Sequence, residues 1–378
     1  MRTSLLHELE FFTQGIALPN YDLVLRVTEK ARRVCHVPRI LCHRRLATLE
    51  IERDPLYLRL EQEAGRKVLV EHCKRMGFHA EVLNADVQGH YRVRHVLVET
   101  PHVVIVIPSE NNAELLQPCI RSLYNKLTYR NFEVVVVEVG ESDSATQECL
   151  EQLTDRYDTL SVIPWKEEFN RARMANHVAE QTTGEYFLFL NDDTRVLTDD
   201  ALEVLLGYFQ SSDVGVVGPK QLFVDGTIEH AGIVVGGSRG VTPLFRHMSA
   251  DCRGYLDRAM VAQNVSAVTG DCMMVRRSVL DEVGGFTDAF SIFYADVDFC
   301  LKAREAGYYT VFTPYVCLSR FHSVSRVRNY SKSLRIKFRQ EAALLESSWP
   351  RYFVEGDTFY NCNLDPDSSY FALKRKRV

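Results

Sequence analysis

Tyr186-Phe-Leu-Phe-Leu-Asn-Asp-Asp193 is a short apolar run that stops on three polar residues. Such a run is too short for a buried helix and too continuous for a strand with one wet face, so it reads as a strand covered on both sides. Two other runs have the same form: Val103-Val-Ile-Val-Ile107, closed by Pro108, and Val134 to Val137, closed by Glu138. Ala113 to Lys126, Ser144 to Tyr157 and Phe169 to Thr183 carry helical spacing between them, and Gly184 supplies a stop for the last. Alternation of this kind implies βαβ units and an α/β fold with a mixed, mainly parallel sheet flanked by helices. Ligands of such sheets gather beyond the carboxyl ends of the strands. There the sequence places Ser109-Glu-Asn111, Glu138 and Asn191-Asp-Asp193. The need of any strand to end in a polar loop accounts for Glu138 alone, but not for the paired Asp192 and Asp193.

Composition narrows the class. Of 378 residues, 46% are hydrophobic and 25% charged, the balance of a core-forming globular protein. A formal net charge of -5 gives no reason to expect nucleic acid as a partner. The ten cysteines include no Cys-x-x-Cys pair and no zinc-finger spacing, which reads as free thiols in a reducing compartment. No stretch approaches the ~18 apolar residues of a membrane span, and Met1 to Phe12 lacks a signal-peptide layout. A cytoplasmic protein, in at most peripheral contact with the inner face of a membrane, is the expectation. Lys374-Arg-Lys-Arg377 could touch anionic lipid; a solvated tail is the plainer reading.

The first hundred residues carry more Arg and His and hold an internal repeat. Asn20-Tyr-Asp-Leu-Val-Leu-Arg-Val-Thr-Glu29 resembles Asp296-Val-Asp-Phe-Cys-Leu-Lys-Ala-Arg-Glu305. Asp22 and Asp298, like Pro38 and Pro314, stand 276 positions apart (298 − 22, 314 − 38). Residues 1–100 are therefore expected to be the end of a preceding copy of the same domain plus a helical linker, with the main domain over 101–350 and a tail over 351–378.

Carboxylates at the end of a buried strand are hard oxygen ligands suited to Mg²⁺ or Mn²⁺, and such an ion bridges naturally to a diphosphate. Asn191-Asp-Asp193 is the expected place for such an ion. A capping role for this pair is weaker, because Thr198-Asp-Asp200 already supplies a helix start. Asp296 and Asp298 open another predicted helix, stopped by Gly307. Two apart, they do not share a face: one can enter a crevice while the other favours the helix end. A general base needs a single carboxylate within reach of a hydroxyl, and Asp296 is assigned that role. The chain has neither the Gly-Lys-Ser/Thr phosphate loop nor a Gly-x-Gly-x-x-Gly after the first strand.

From about Pro101 to Arg326 the chain resembles the family 2 glycosyltransferases of GT-A fold, near their bacterial rhamnosyltransferase-like branch. The likeness lies in Val103 to Asn112, Glu133 to Asp143, Gly184 to Thr194, Asp225-Gly-Thr-Ile-Glu-His-Ala-Gly232, Ser266-Ala-Val-Thr-Gly-Asp-Cys-Met-Met-Val-Arg276, and Gly284-Gly-Phe286 followed by Asp296-Val-Asp298. The resemblance implies an inverting transfer of a sugar from a nucleotide-diphosphate donor to a glycan or lipid-linked acceptor, as in cell-surface polysaccharide synthesis. The donor would lie across Ser109, Glu110, Asn111, Glu138 and Asp192, with Asn176 in the substrate-binding set. A divalent cation (Mn²⁺ or Mg²⁺) would sit on Asp193 with His322, and Asp296 would take the proton. The sequence departs from the pattern at Glu138, where the family usually has Asp, and at Ala295, where an acidic or amide residue commonly precedes the base. Arg320-Phe321 fill the places of a late His pair, with His322 one later, and Asn20 replaces the base in the N-terminal copy.

Two readings of different class follow: an active transferase, or a degenerate domain that binds a nucleotide-sugar or a partner without turnover. Retention of Asp192, Asp193 and Asp296 favours the first. A nucleotidyltransferase would want a basic, glycine-rich loop where Ser109-Glu-Asn111 stands.

Overall fold

The structure, a computed structural model, describes residues 3–9, 18–32, 34–43, 54–85, 87–321 and 331–374. The chain divides into two units, Met1–Val98 and Glu99–Val378.

In the first unit, helices α1 (Thr3–Glu8), α2 (Pro19–Lys30) and α3 (Pro55–Met76) precede a hairpin of β1 (Ala80–Asn84) and β2 (Tyr91–His95). Asp54 caps α3 by accepting from Leu56 N, and Gly77, at φ 71°, ends it in the left-handed conformation that glycine tolerates best. Leu69, Cys73 and Val82 form a small core against Tyr21 and Leu25. Glu29 joins α2 to α3 by accepting from Arg75 and bonding the His72 ring.

The second unit begins with β3 (Val103–Ser109), α4 (Ala113–Lys126), β4 (Phe132–Val139), α5 (Ser144–Arg156), β5 (Leu160–Trp165), α6 (Arg171–Gln181) and β6 (Tyr186–Leu190). β3, β4, β5 and β6 pair in parallel, with Ile105 opposite both Val134 and Leu188. Val103 to Ile107 are almost completely buried, as a strand covered on both faces requires. Next come β7 (Thr194–Val196), α7 (Ala201–Gly207), β8 (Val214–Phe223), β9 (Ile228–His230), β10 (Ile233–Val235), β11 (Val241–Pro243), β12 (Gln263–Val265), β13 (Cys272–Arg276), α8 (Arg277–Glu282), α9 (Ala295–Glu305), β14 (Tyr309–Arg320), α10 (Lys332–Ser348) and α11 (Pro350–Val354).

The principal sheet runs β12-β14-β8-β13-β6-β3-β4-β5. β13 lies antiparallel between β6 and β8, so its first residue, Cys272, faces Leu190 at the end of β6. β14 runs parallel to β8, and its last residue, Arg320, pairs with Thr194. These two pairings carry Asp271 and Arg320 to the polar end of β6.

Two stretches bear on the expected domain boundaries. The tail over 351–378 is packed as far as it is described: Tyr352, Tyr360, Leu364 and Phe371 are buried in the main core. Asp357 accepts from Val235 N at 2.8 Å, and Asp367 from Ser238 N and Arg239 N. Aromatic burial and these carboxylate locks hold the segment, although its sequence has no regular periodicity. In the N-terminal unit, α2 and α9 start at Pro19 and Ala295, again 276 apart (295 − 19), yet residues 34–43 form no strand where the offset would place β14.

Packing between β8 and the segment leading to β13 is tight at Gly218, where an added Cβ would lie 2.5 Å from Val268 Cβ. Gly218→Ala is expected to lower stability by about 1–3 kcal/mol through overpacking, measured by urea unfolding. An unchanged midpoint would show that the contact yields.

Candidate active site

Three of the expected donor-binding positions meet at the carboxyl edge of the parallel strands. Ser109 pairs with Glu138 across β3 and β4, and Ser109 Oγ donates to Asp192 Oδ2 at 3.0 Å. Asn112 Nδ2 donates to the same oxygen at 3.1 Å, which fixes that carboxylate. Glu110 is exposed beside them. Asn111, at φ 45°, takes the left-handed conformation that Asn accepts more readily than most residues. Its amide bridges to the next strand loop, accepting from Asp143 N at 2.8 Å and donating to Glu141 O at 3.2 Å. Asn111 thus shapes the loop rather than pointing a spare amide at a ligand.

Asn176 stands apart from this group. It donates to Phe286 O at 2.9 Å and accepts from Phe286 N at 2.8 Å, pinning the turn at Gly285 from α6. That pair of bonds makes it a support for the loop, and it is not in the lining of the cleft described next.

A cleft of about 610 Å³ opens over the sheet beyond β6, lined among others by Arg171, His230, Arg246, Asp271, Asp296 and Arg320. Asp296 enters it from the start of α9, after Tyr294 at φ 61° has turned the chain. Its Oδ2 accepts from Gly270 N at 2.6 Å and its Oδ1 from Val297 N at 2.8 Å. Burial pushes its carboxyl pKa up, against the pull of the Gly270 hydrogen bond and of Arg171. Asp298 points the other way, accepting from Thr287 Oγ1 at 2.6 Å and Trp349 Nε1 at 2.8 Å.

Asp193 has a different surrounding from the one its position suggests. Its carboxylate is fully buried and accepts from Arg320 at both oxygens, Nε to Oδ1 and Nη2 to Oδ2, each at 3.3 Å. Arg320 Nη1 also donates to Glu229 Oε1 at 3.1 Å and to Asp271 Oδ2. Arg320, not Asp193, reaches the cleft lining. The carboxylate expected to hold a divalent cation therefore lies behind a guanidinium fork, and the residues as placed do not form an open oxygen shell. His322 lies outside the described residues.

The polar floor continues outward. Asp271 Oδ1 accepts from Asn191 Nδ2 at 2.7 Å and from Arg171 Nη1 at 3.3 Å, while Arg171 Nη2 donates to Asn191 Oδ1 at 2.8 Å. Burial disfavours the Asp271 charge, but Arg320 and then Arg171 outweigh it and hold its pKa down to about 2. His230 is buried and pushed down to about 3, so its ring is neutral near pH 7. Arg246 approaches Glu229 to 4.0 Å.

Sequence reading passed over Arg171, Arg246, Glu229, His230 and Asp271 as site residues. Glu229, His230 and Asp271 sit inside stretches that carried the family likeness. Arg171 and Arg246 have no sequence signal, being one arginine in a helix and one in a loop.

The loop entering α9 is held from below. Glu341 of α10, 2% exposed, accepts from Ser291 N and Oγ, Ile292 N and Phe293 N at 2.7–3.3 Å. Glu341→Ala would strand several buried donors and should cost roughly 2–4 kcal/mol by chemical denaturation. Loss of protection of the amides at 291–293 in hydrogen exchange should accompany it. Unchanged exchange there would show that the loop stands without Glu341.

Comparison with known proteins follows the same residues. The profile described as "Glycosyltransferase like family 2" matches residues 101–343, well over half of the chain. An uncharacterized protein y4gI of Sinorhizobium fredii is 31% identical over 99% of this chain and 42% of its own length. The O-antigen biosynthesis protein RfbC of Myxococcus xanthus is 31% identical over 94% of this chain and 27% of its own. This chain thus spans less than half the length of either relative. The N-acetylglucosaminyl-diphospho-decaprenol L-rhamnosyltransferase of Mycobacterium tuberculosis is 22% identical over 53% of this chain and 70% of its own. Among solved structures, GalNAc-T7 with UDP, GalNAc and Mn²⁺ superposes with a TM-score of 0.50 at 12% identity, over 64% of this chain and 47% of that one. The likeness extends to the curled, mainly parallel sheet, which is that of a GT-A glycosyltransferase. This chain belongs to glycosyltransferase family 2.

Proposed function

We propose that this chain transfers a sugar, with inversion, from a nucleoside-diphosphate donor to a hydroxyl of a glycan or lipid-linked acceptor. The observation that carries the reading is the cleft in which Asp296 stands close to the polar end of β6. The O-antigen and rhamnosyl-transfer names of two relatives support a role in cell-surface polysaccharide synthesis. Among the described residues no helix is long and apolar enough to cross a membrane; peripheral contact through Lys374 to Arg377 remains a proposal, and residues 375–377 lie outside those described.

In the proposed step the acceptor oxygen attacks the anomeric carbon, and the bond from that carbon to the diphosphate oxygen breaks with its electrons leaving on the diphosphate. The acceptor proton passes to an Asp296 carboxylate oxygen. Attack opposite the leaving group inverts the centre. Ser109, Glu110, Glu138 and Asp192 would hold the nucleotide, with Asn111 ordering their loop. Burial suits Asp296 to its task, because a carboxylate with a raised pKa is a stronger proton acceptor near neutral pH. The divalent cation expected at Asp193 does not fit the residues as they stand, since Arg320 takes both carboxylate oxygens, and no part of the step is routed through it. The same contact favours a second reading, a domain that binds the donor without turning it over.

Asp296→Asn should leave donor binding within about twofold and lower donor hydrolysis or transfer by about 10²–10⁴, the usual worth of a positioned base. Equal turnover in the variant would remove Asp296 from the chemistry, and a wild type that binds donors but never releases sugar would favour the second reading. Because Asp296 acts ionised and its pKa is raised, activity should be present above that pKa and lost as pH falls through it. The acid limb of the pH–rate profile should lie above the ordinary value of 3.8. A limb at or below 3.8 would contradict the assignment.

A further inference from the structure

We propose that Arg320 takes the place of a divalent cation beneath the donor diphosphate, so that this chain binds its nucleoside diphosphate without a metal ion. The inference rests on the donor reading above and concerns how that site balances charge. Asp193, Glu229 and Asp271 reach one guanidinium from three separate segments: the end of β6, strand β9 and the loop before β13. Arg320 has side-chain exposure of only 10%, and Asp193 behind it has 0%. A guanidinium is fixed in charge and planar, and it binds a carboxylate at two points. Asp271, then Asp193 and Glu229, raise its pKa despite burial.

Charge counting gives the functional consequence. Without Arg320, the carboxylates of Asp193, Glu229, Asp271 and the ionised Asp296 would outnumber Arg171 and Arg246 by two, and a diphosphate could approach that floor only with an added cation. With Arg320 three guanidiniums face these four carboxylates, and the excess of negative charge falls to one. The positive charge set against Asp193 thus comes from within the chain, from a residue that also lines the cleft. A divalent ion seeking Asp193 would have to displace a bidentate contact and lie against a fixed positive charge.

The test is calorimetric titration of the full chain with UDP, GDP and dTDP, in EDTA and in MnCl₂. For whichever nucleotide binds, affinity should differ by less than about threefold between the two buffers. A larger gain from Mn²⁺ overturns the inference while leaving the donor reading intact. No binding in either buffer overturns the donor reading, and this inference with it. Arg320→Ala should weaken binding in EDTA by at least about tenfold, with recovery in MnCl₂ as the three carboxylates become available to the ion. Arg320→Lys should stay independent of Mn²⁺, because the charge remains. Binding by Arg320→Ala in EDTA equal to wild type would overturn the role of Arg320. Should that variant not fold, the wild-type comparison of the two buffers still decides.

Discussion

A buried guanidinium held by three carboxylates is the contact on which the cleft depends. Arg320 ends β14, and its partners Asp193, Glu229 and Asp271 belong to three other segments of the chain. Removing one member of such a group leaves the others charged and desolvated, which costs far more than a surface ion pair contributes. The arrangement therefore fixes the relative position of the strand ends as well as their charge.

Around this centre, supporting contacts are kept apart from the residues that face the cleft. Asn176 braces the Gly285 turn, Asp298 is taken up by Thr287 and Trp349, and Glu341 binds the amides of the loop leading to Asp296. Each is a polar side chain satisfied by local donors or acceptors, as burial demands. Asp296 is treated differently: its oxygens accept two backbone hydrogen bonds, yet it still lines the cleft. Two neighbouring aspartates on one helix thus have unlike surroundings, one taken up by Thr287 and Trp349 and one in the cleft lining. That contrast matches the expectation that residues two apart on a helix do not share a face.

The C-terminal segment shows how a stretch without regular periodicity can still pack into the core. Among the described residues after α10 there is no strand or helix beyond the short α11, but they bring Tyr360, Leu364 and Phe371 into the core. Asp357 and Asp367 satisfy backbone amides at the turns around β10 and β11. Carboxylates accepting from backbone amides in this way order a loop that has no regular periodicity of its own.

The local pattern was enough for β3, β4, β6 and α4, because buried parallel strands and amphipathic helices each leave a periodic trace in consecutive residues. The polar stops at Ser109, Glu138 and Asp192 follow from the same reasoning, and the structure gathers them at one sheet edge. β13 and β14 were not legible as partners, since insertion of β13 antiparallel between β6 and β8 is a non-local pairing. That topology alone decides that Arg320 meets Asp193 across 127 positions. A carboxylate at a strand end looks the same in sequence whether it faces water, a metal ion or an arginine. Sequence determined which residues reach the end of the sheet; the tertiary pairing of distant strands decided what charge stands opposite them, because electrostatic partners are chosen by distance in space.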